Sequence, residues 1–495
     1  MEWANSWLLL LEAVKRKIRM KFLDFQILKI RWPAMAIVSV LLTSCAVGPN
    51  YKKPDIDMPG AYHKQQAVSE DATTDDFKAL AKWWTHLDDP LLTRLIDAAV
   101  ANNRDFKKAE SRVMEAQYRR RISQADLIPS FSASGSASRR YSGKTERTQN
   151  SFQAGLDAGW ELDLFGGTRR KIEASQAEYE ATREDLRSVL VSLTAEVAIN
   201  YIQLRTYQKR LVWAENNVQL QQEALDLTQL KFKTGVAPGL DADRAAYNLA
   251  STRAQIPSLQ SGMEEIKNRL AVLLGEWPGE ITDILSAPAP IPASEQKIRI
   301  GIPADLLRRR PDIRRAERLL AAQTAQIGAA EADAYPGFNL QGDLGYEALA
   351  LGGLISPVNL AAGILSGISW PIFQGGAIRN NIKVQSALQE QALLDYETAI
   401  YEAVEEVENA LYALAREHER IKHLEVAAGS AQDAADVALQ QYEAGLADFE
   451  NVLETQRSLT SFQDQLAQSR GSAALDLVSL YKALGGGWDF NDHAG

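Results

Sequence analysis

The stretch KFKTGVAPGLDADR, residues 231–244, returns in altered form as QYEAGLADFENVLE, residues 441–454. Positions separated by 210 residues match, namely Phe232 with Tyr442, Gly235 with Gly445, and Asp241 with Asn451. The same offset also relates Glu196 to Glu406 and Leu274 to Leu484. Two copies are too few for a solenoid, so we predict a duplicated hairpin unit.

The segments on either side of each glycine predict very long helices. Residues 168–234 contain neither proline nor glycine. Apolar residues recur there at three- and four-residue steps or their multiples, which predicts coiled-coil packing. The positions are Leu186, Leu190, Leu193, Val197, Leu204 and Leu211, with Ile400, Val404, Val407, Leu411 and Leu414 in the second copy. Such a helix reaches roughly 100 Å. Helices return at about 240–274 and 447–484, with an expected kink at Pro257.

Each copy also contains a segment that alternates like a strand. The apolar residues of 152–164 are Phe152, Ala154, Leu156, Ala158, Trp160, Leu162 and Leu164, and polar residues or glycine lie between them. Two strands per copy, joined by loops at 142–149 and 345–357, give four strands per chain. Four strands cannot close a barrel in lipid, so several chains must share one. The edge of a soluble β-sandwich is the alternative.

Pro129 and Pro336 precede the strands of the two copies and lie 207 residues apart, so the difference from 210 falls in the segments after them. The repeats are predicted at 83–277 and 298–488, with a proline-rich, extended linker at 278–297 and a tail at 489–495. Shorter amphipathic helices are predicted at 83–127 and 303–333, the second beginning at Pro311.

The N-terminal residues predict export and lipidation. The apolar run 34–44 is too short to span a bilayer and follows Lys29 and Arg31, which is typical of a signal peptide. Residues 1–44 are therefore a predicted signal peptide, with Met20 as the alternative translation start, and residues 45–82 are a predicted lipidated segment. Leu42 to Cys45 resembles a bacterial lipobox, which implies acylation of Cys45; a buried structural thiol is the alternative.

Composition excludes several other classes of protein. The formal net charge of −10 and the pI near 5.3 argue against nucleic acid as a partner. Five histidines and one cysteine leave little for a metal site, and His418 and His423 do not share a helix face. We identify no catalytic or cofactor motif; LFGGT lacks the lysine of a phosphate loop.

Three motifs resemble one protein family. VGPNYKKPD at 47–55, WELDLFGG at 160–167 and the stretch 302–342 are similar to the outer-membrane factors of resistance-nodulation-division efflux systems, the lipoprotein branch of the TolC family. The resemblance implies a mainly α TolC-like fold with a homotrimer, a twelve-stranded β-barrel and an α-barrel. It also implies a passive exit duct in the bacterial outer membrane, anchored in its lipid and extending into the periplasm. A periplasmic adaptor and an inner-membrane pump are the implied partners.

The same resemblance implies a periplasmic gate at the tip of the second hairpin. It assigns the gate tyrosine to Tyr442 and the acidic positions to Asn451 and Glu454, with Asp448 and Glu450 close by. Asn451 and Ala447 depart from the family pattern, so the sequence does not decide whether the gate is held by charged residues as in TolC. The alternative is that these are solvated charges at the turn.

Two other functions remain possible from the sequence. A lipid-anchored periplasmic coiled-coil scaffold would share the heptads and Cys45 but has no use for the alternation at 152–164. An envelope hydrolase would need a nucleophile and base, and His63 and His86 have no recognisable partner in the sequence.

Overall fold

A computed structural model describes residues 46–63, 80–293 and 309–489. Cys45 and the predicted signal peptide lie outside these residues. The elements are a 3-10 helix (Trp83–Leu87), α1 (Pro90–Asn102), α2 (Arg104–Ala125), β1 (Ser130–Ser142), β2 (Arg147–Leu162), α3 (Gly167–Lys233), α4 (Gly239–Leu273), α5 (Thr282–Ser286), α6 (Pro311–Ala332), β3 (Gly337–Ala348), β4 (Leu360–Ser369), α7 (Ala377–Glu443) and α8 (Phe449–Ala483).

The helices confirm the duplication. Helices α3 and α7 each have 67 residues, α4 and α8 each have 35, and both ends of α7 and of α8 lie 210 residues after those of α3 and α4. Pro257 lies inside α4, which continues on both sides of it. Helix α6 begins at Pro311, as predicted.

Both hairpin tips end in the same glycine turn. Gly235 and Gly445 have φ values of 73° and 74°, a left-handed conformation that glycine adopts without a Cβ penalty. The amide of Val236 donates to Lys231 O at 2.8 Å, and Leu446 N to Gln441 O at 2.8 Å. These six-to-one bonds are those of a Schellman motif, which satisfies carbonyls at the helix end.

The chain divides into two compact units. The first comprises described residues 46–50, 122–173 and 325–385 and contains one antiparallel sheet in the order β1-β2-β3-β4. The register pairs Leu156 with Leu344 and Asp157 with Asp343 across β2 and β3. Residues of like character therefore share a face, which confirms the predicted alternation.

The hairpin connections differ from the predicted loops. Strands β1 and β2 pair up to Ser142 and Arg147, so Thr148 and Gln149 belong to β2, and β3 continues to Ala348 before a connection at 349–359. The polar ends of these strands lack the alternating pattern, so the sequence predicts loops there, although backbone pairing continues through them.

Two tryptophans locate the length difference between the copies. Trp160 Nε1 donates to Leu127 O at 3.0 Å, and Trp370 Nε1 donates to Ala334 O at 3.1 Å. The tryptophans lie 210 residues apart and their acceptors 207. The difference therefore falls inside the β-hairpins, as the prolines predicted.

The second unit, residues 51–121, 174–324 and 386 onward, holds the main core. The predicted heptad residues Val197, Leu204, Val407 and Leu411 are fully buried there. Trp83 stacks on Tyr481 with ring centroids 5.2 Å apart. Tyr201 donates to Asp89 Oδ2 at 2.6 Å, while Oδ1 of Asp89 caps α1. Residues placed by the heptad period thus pack this core together with hydrogen-bonded polar groups.

The predicted linker is not simply extended. Helix α5 lies within 278–297, and its Leu285 is fully buried. Gln208 Nε2 donates to Leu285 O at 2.8 Å, so this residue is anchored by packing and by a hydrogen bond.

In the part of the chain that the structure describes, we find no helix that combines the length and the apolar character needed to cross a membrane.

Candidate functional site

The tips of the two helical hairpins pack against each other around Tyr442. Its ring meets Phe449 edge to face at 5.3 Å, and the two residues are only 4% and 1% exposed. The apolar cluster around them is drawn from both copies and contains Ala224, Leu225, Ala245, Leu249, Ala438, Val452 and Leu453. Tyr442 is therefore held by packing within its own chain.

Lys231 is a tip residue that the sequence analysis missed. Its Nζ lies 4.1 Å from the centre of the Tyr442 ring, a cation–π distance. It also donates to the carbonyl oxygens of Tyr442 and Glu443 at the end of α7. A lysine bonded to terminal carbonyls stabilises a helix end. The sequence signal for this contact was a basic residue in the last turn of α3, four residues before the tip glycine Gly235.

The Tyr442 hydroxyl is buried, and among the described residues it has no hydrogen-bond partner. Burial, and to a lesser extent the Asp241 carboxylate, raise the pKa of this phenol. The phenol therefore stays neutral at physiological pH.

The other predicted gate residues do not converge on Tyr442. Asp448 precedes α8, and Asp448, Glu450, Asn451 and Glu454 are all exposed. Glu450 accepts from Arg244 Nη1 at 3.2 Å, but its side chain is 73% exposed, so this ion pair contributes little. The acids thus form a solvent-facing negative surface at the first turn of α8.

From the other hairpin, Asp241 interacts electrostatically with Asp448 of this surface. Burial, and then the charge of Asp448, raise the pKa of Asp241, while Arg244 opposes them. In the repeat, Asp241 corresponds to Asn451, so one copy carries the acid and the other the amide. The tip therefore keeps a carboxylate at this repeat position, supplied by Asp241 in the first copy, although the second copy has the amide Asn451.

Arg457 of α8 also contacts α4 of the first hairpin. Its Nη2 donates to Tyr247 Oη at 3.0 Å and its Nε to Asn248 Oδ1 at 3.4 Å, and its guanidinium lies 5.3 Å from the Tyr247 ring. Tyr247 and Arg457 occupy equivalent positions in the two copies, 210 residues apart. Contacts of Lys231, Arg244 and Arg457 thus join the hairpins at the tip, and separating the tips must break them.

Asp241 should make the tip pH-dependent. Because the pKa of its folded-state carboxyl lies above the ordinary value of 3.8, the folded tip retains the proton to higher pH than the unfolded chain. Tip stability should therefore fall as pH rises from about 3.8 through the raised pKa and then level off, and the loss should be small because the carboxyl is partly exposed.

Asp241→Asn should remove this dependence. Hydrogen exchange at residues 239–245, corrected for intrinsic rates between pH 4 and 7, measures it. The exposed neighbour Asp243→Asn is the control and should behave as wild type. Equal pH profiles for wild type and Asp241→Asn would contradict the assignment.

The sheet is the second part of the site. Its polar face carries Ser134, whose Oγ donates to Asp157 Oδ2 at 2.7 Å, and Ser136, which donates to Gln153 at 3.3 Å. The opposite face exposes Leu156 at 57% and Ile364 at 86%. Among the described residues of the chain, β1 and β4 each pair with a single strand. The apolar face must be shielded from water, and the two open strand edges must pair with other strands or be covered.

The WELDLFGG motif forms the turn from β2 into α3. Asp163 accepts from the amides of Thr168 and Arg169 at 3.1 and 3.0 Å, which caps the first turn. Gly166 has φ of 82°, where a side chain would be strained. The predicted strand-to-helix turn is confirmed, and the motif shapes the backbone.

Comparison with known proteins agrees with this geometry. The family described as "Outer membrane efflux protein" matches residues 95–276 and 302–486. Nodulation protein T of Rhizobium leguminosarum bv. trifolii is 31% identical over 459 residues, 91% of this chain and 96% of that protein. Outer membrane protein OprJ of Pseudomonas aeruginosa is 30% identical over 462 residues, 92% of this chain and 95% of that protein.

Solved structures extend the likeness to the whole fold. The outer-membrane channel OprN superimposes with a TM-score of 0.83 at 37% identity, over 90% of this chain and 100% of that one. The open-state MtrE outer membrane channel of Neisseria gonorrhoeae gives 0.78 at 26% identity, over 90% and 99%. This chain is therefore a member of the outer membrane efflux protein family, an outer-membrane efflux channel with the TolC-like fold.

Proposed function

We propose that three copies of this chain form one passive exit duct. The observation that carries the proposal is the sheet, which has four strands, one apolar face and two unpaired edges. Three such sheets joined edge to edge supply twelve strands, enough to close a barrel with its apolar face toward lipid. The long helices then continue the duct into the periplasm as an α-barrel. Proteins of this family are channels rather than enzymes.

The duct acts with an inner-membrane pump of the resistance-nodulation-division type and a periplasmic adaptor. The names of its relatives support such an assembly, since they include a cation efflux system protein of Escherichia coli O6:H1 and a toluene efflux pump protein of Pseudomonas putida. Because these cargoes differ while the fold is shared, the pump selects the cargo and this chain conducts it. Nothing favours the alternative of a coiled-coil scaffold.

The tip around Tyr442 is the proposed periplasmic gate. Three copies of Asp448, Glu450 and Glu454, with Asn451 between them, would surround one axis near the end of the duct. Buried Tyr442 sets the position of the turn that carries them. The contacts of Lys231, Arg244 and Arg457 hold each chain's two hairpins together.

Transport is tested in a deletion strain with an active pump. Accumulation of a panel of toxic compounds should rise on deletion and return to the starting level with the wild-type gene. Gly429→Ala, at a helical position with open space around it, is the control and should restore efflux fully. Unchanged accumulation of every compound after deletion, with the pump expressed, would contradict a role in efflux.

Cys45→Ala tests the proposed lipid anchor. The variant should stay uncleaved by the lipoprotein signal peptidase and take up no radiolabelled palmitate, because the acylated thiol is gone. The barrel is itself a membrane anchor, so we expect slower assembly rather than loss of the fold. Labelling and the size of the precursor on gels measure this, and equal palmitate in wild type and variant would rule out acylation at Cys45.

A further inference from the structure

Residues 46–50, here called the anchor segment, are bound by one buried arginine. Arg170 Nε donates to Val47 O at 3.0 Å, and Nη2 donates to Gly48 O at 3.1 Å and to Asn50 Oδ1 at 2.8 Å. Its Nη1 donates to Glu173 at 2.7 Å, and its side chain is only 4% exposed. Glu173 thus balances the charge of the guanidinium, and the remaining donors of Arg170 bind the anchor segment.

The same segment is bound through its amide and its shape. Val47 N donates to Phe165 O at 3.0 Å, in the turn that follows β2. A Cβ added at Gly328 of α6 would lie 2.9 Å from both Arg170 Nε and Val47 O, and one added at Gly48 would overlap the Gly328 backbone. A Cβ at Gly166 would lie 2.6 Å from Ala46. Glycines therefore shape a groove that admits this backbone and no side chain.

We propose that this groove, called the seat and formed by Gly166, Arg170 and Gly328, positions the lipidated N-terminus of the channel. The inference rests on the proposed acylation of Cys45. Only Ala46 separates Cys45 from Val47, whose amide and carbonyl are both bonded. The acylated residue is therefore held within about 7 Å of the seat. Its acyl chains enter the bilayer beside the turn from β2 into α3 instead of at the end of a free tether.

Arg170 acts here as a positioning residue, through the backbone of the anchor segment. A lipid on a free linker samples a large volume, whereas one bound two residues from a fixed point meets the membrane at one level of the protein. The seat thus sets where the lipid anchors the sheet, and the sheet and the anchor insert together. The expected consequence is faster assembly of the trimer when both lipid and seat are present.

Limited trypsin digestion tests the seat directly. Within residues 46–63, Lys52 precedes the only bond trypsin can cut, because Lys53 is followed by Pro54. Cutting there releases acylated residues 45–52. In detergent-purified trimers, Arg170→Ala and Gly328→Ala should raise the release rate by about tenfold, since the segment opens locally more often. Gly328→Ala is the sharper variant, because it keeps every charge and alanine favours the helix.

Gly429→Ala, a helical glycine with nothing within 4 Å, is the matched control and should release the peptide at the wild-type rate. If Arg170→Ala does not assemble, Gly48→Ala alters the anchor segment alone and should also raise the rate. Hydrogen exchange at the Val47 amide should accelerate with it. Folded Gly328→Ala and Gly48→Ala trimers with wild-type release would overturn the seat.

A pulse-chase experiment separates positioning from mere stability. Cys45→Ala and Gly328→Ala should each delay trimer assembly, and the double variant should be no slower than Cys45→Ala alone, because an absent lipid cannot be mispositioned. Additive delays would overturn the inference. Failure of acylation itself is read separately, from palmitate labelling, and the rate of cutting after Lys52 in the uncleaved, unlipidated Cys45→Ala precursor reports on the seat without the lipid.

Discussion

Leu156→Arg should prevent stable assembly of the channel. Leu156 lies in the middle of β2 on the apolar face, opposite Leu344 and Ala133, and is 57% exposed in the single chain. An arginine facing lipid near the bilayer midplane costs about 2–4 kcal/mol, and a trimer incurs that cost three times. Ala158→Arg, on the same face, should act similarly. The yield of heat-resistant trimers in outer membranes measures the effect.

Asp157→Arg is the matched control, one residue away on the opposite face. Asp157 accepts from Ser134 and lies directly across from Asp343. An arginine there loses the serine bond but gains an acidic cross-strand neighbour in a solvated lumen, so assembly should be near wild type. If Asp157→Arg were the more damaging of the two, the lipid and lumen faces would be reversed.

Replacing the tip acids together should change ion selectivity. We expect small, cation-selective conductance from the wild type in planar bilayers. Asp448→Asn, Glu450→Gln and Glu454→Gln should lower the cation-to-anion permeability ratio by about threefold to sevenfold, which corresponds to a potential change of about 0.5–1 kT because the change acts on both ions in opposite directions. Removal of the Glu450 carboxylate also leaves Arg244 without this counter-charge, which adds to the shift.

Glu223→Gln is the control for this experiment. It is an exposed acid of α3 twelve residues before Gly235, about 18 Å along the helix, more than two Debye lengths of about 8 Å at physiological salt. Its selectivity should match wild type. Unchanged selectivity in the triple variant would place the constriction elsewhere and leave Asp448, Glu450 and Glu454 as solvated charges.

The regular parts of this fold could be predicted because their information is local. Heptad positions such as Val197 and Val407 are buried where the period places them, and the alternation around Leu156 sets the faces of the sheet. The tip glycines were found because a left-handed turn demands that residue. The ends of β2 and β3 were missed, since backbone pairing outlasts the amphipathic pattern.

The contacts at the tip could not be predicted in the same way. Lys231, Arg244 and Arg457 bind residues more than 200 positions away, which no local pattern reports. Leu285 was assigned to an extended linker because one buried leucine among prolines has no period. The gate residues Tyr442, Asp448, Glu450, Asn451 and Glu454 came from a resemblance, and their role stays a prediction.

Strand-edge cross-linking tests most directly whether three chains close one barrel. Ala133→Cys in β1 is combined, one at a time, with cysteine at Ala362, Ile364, Ser366 or Ile368 in β4, all on the apolar face. If β4 of one chain pairs with β1 of the next, at least one pair should oxidise in the membrane to covalent dimers and trimers. The ladder should stop at three, because a closed ring has no free edge. A ladder beyond three, or no intermolecular disulfide at any pair in assembled protein, would contradict the closed trimeric channel.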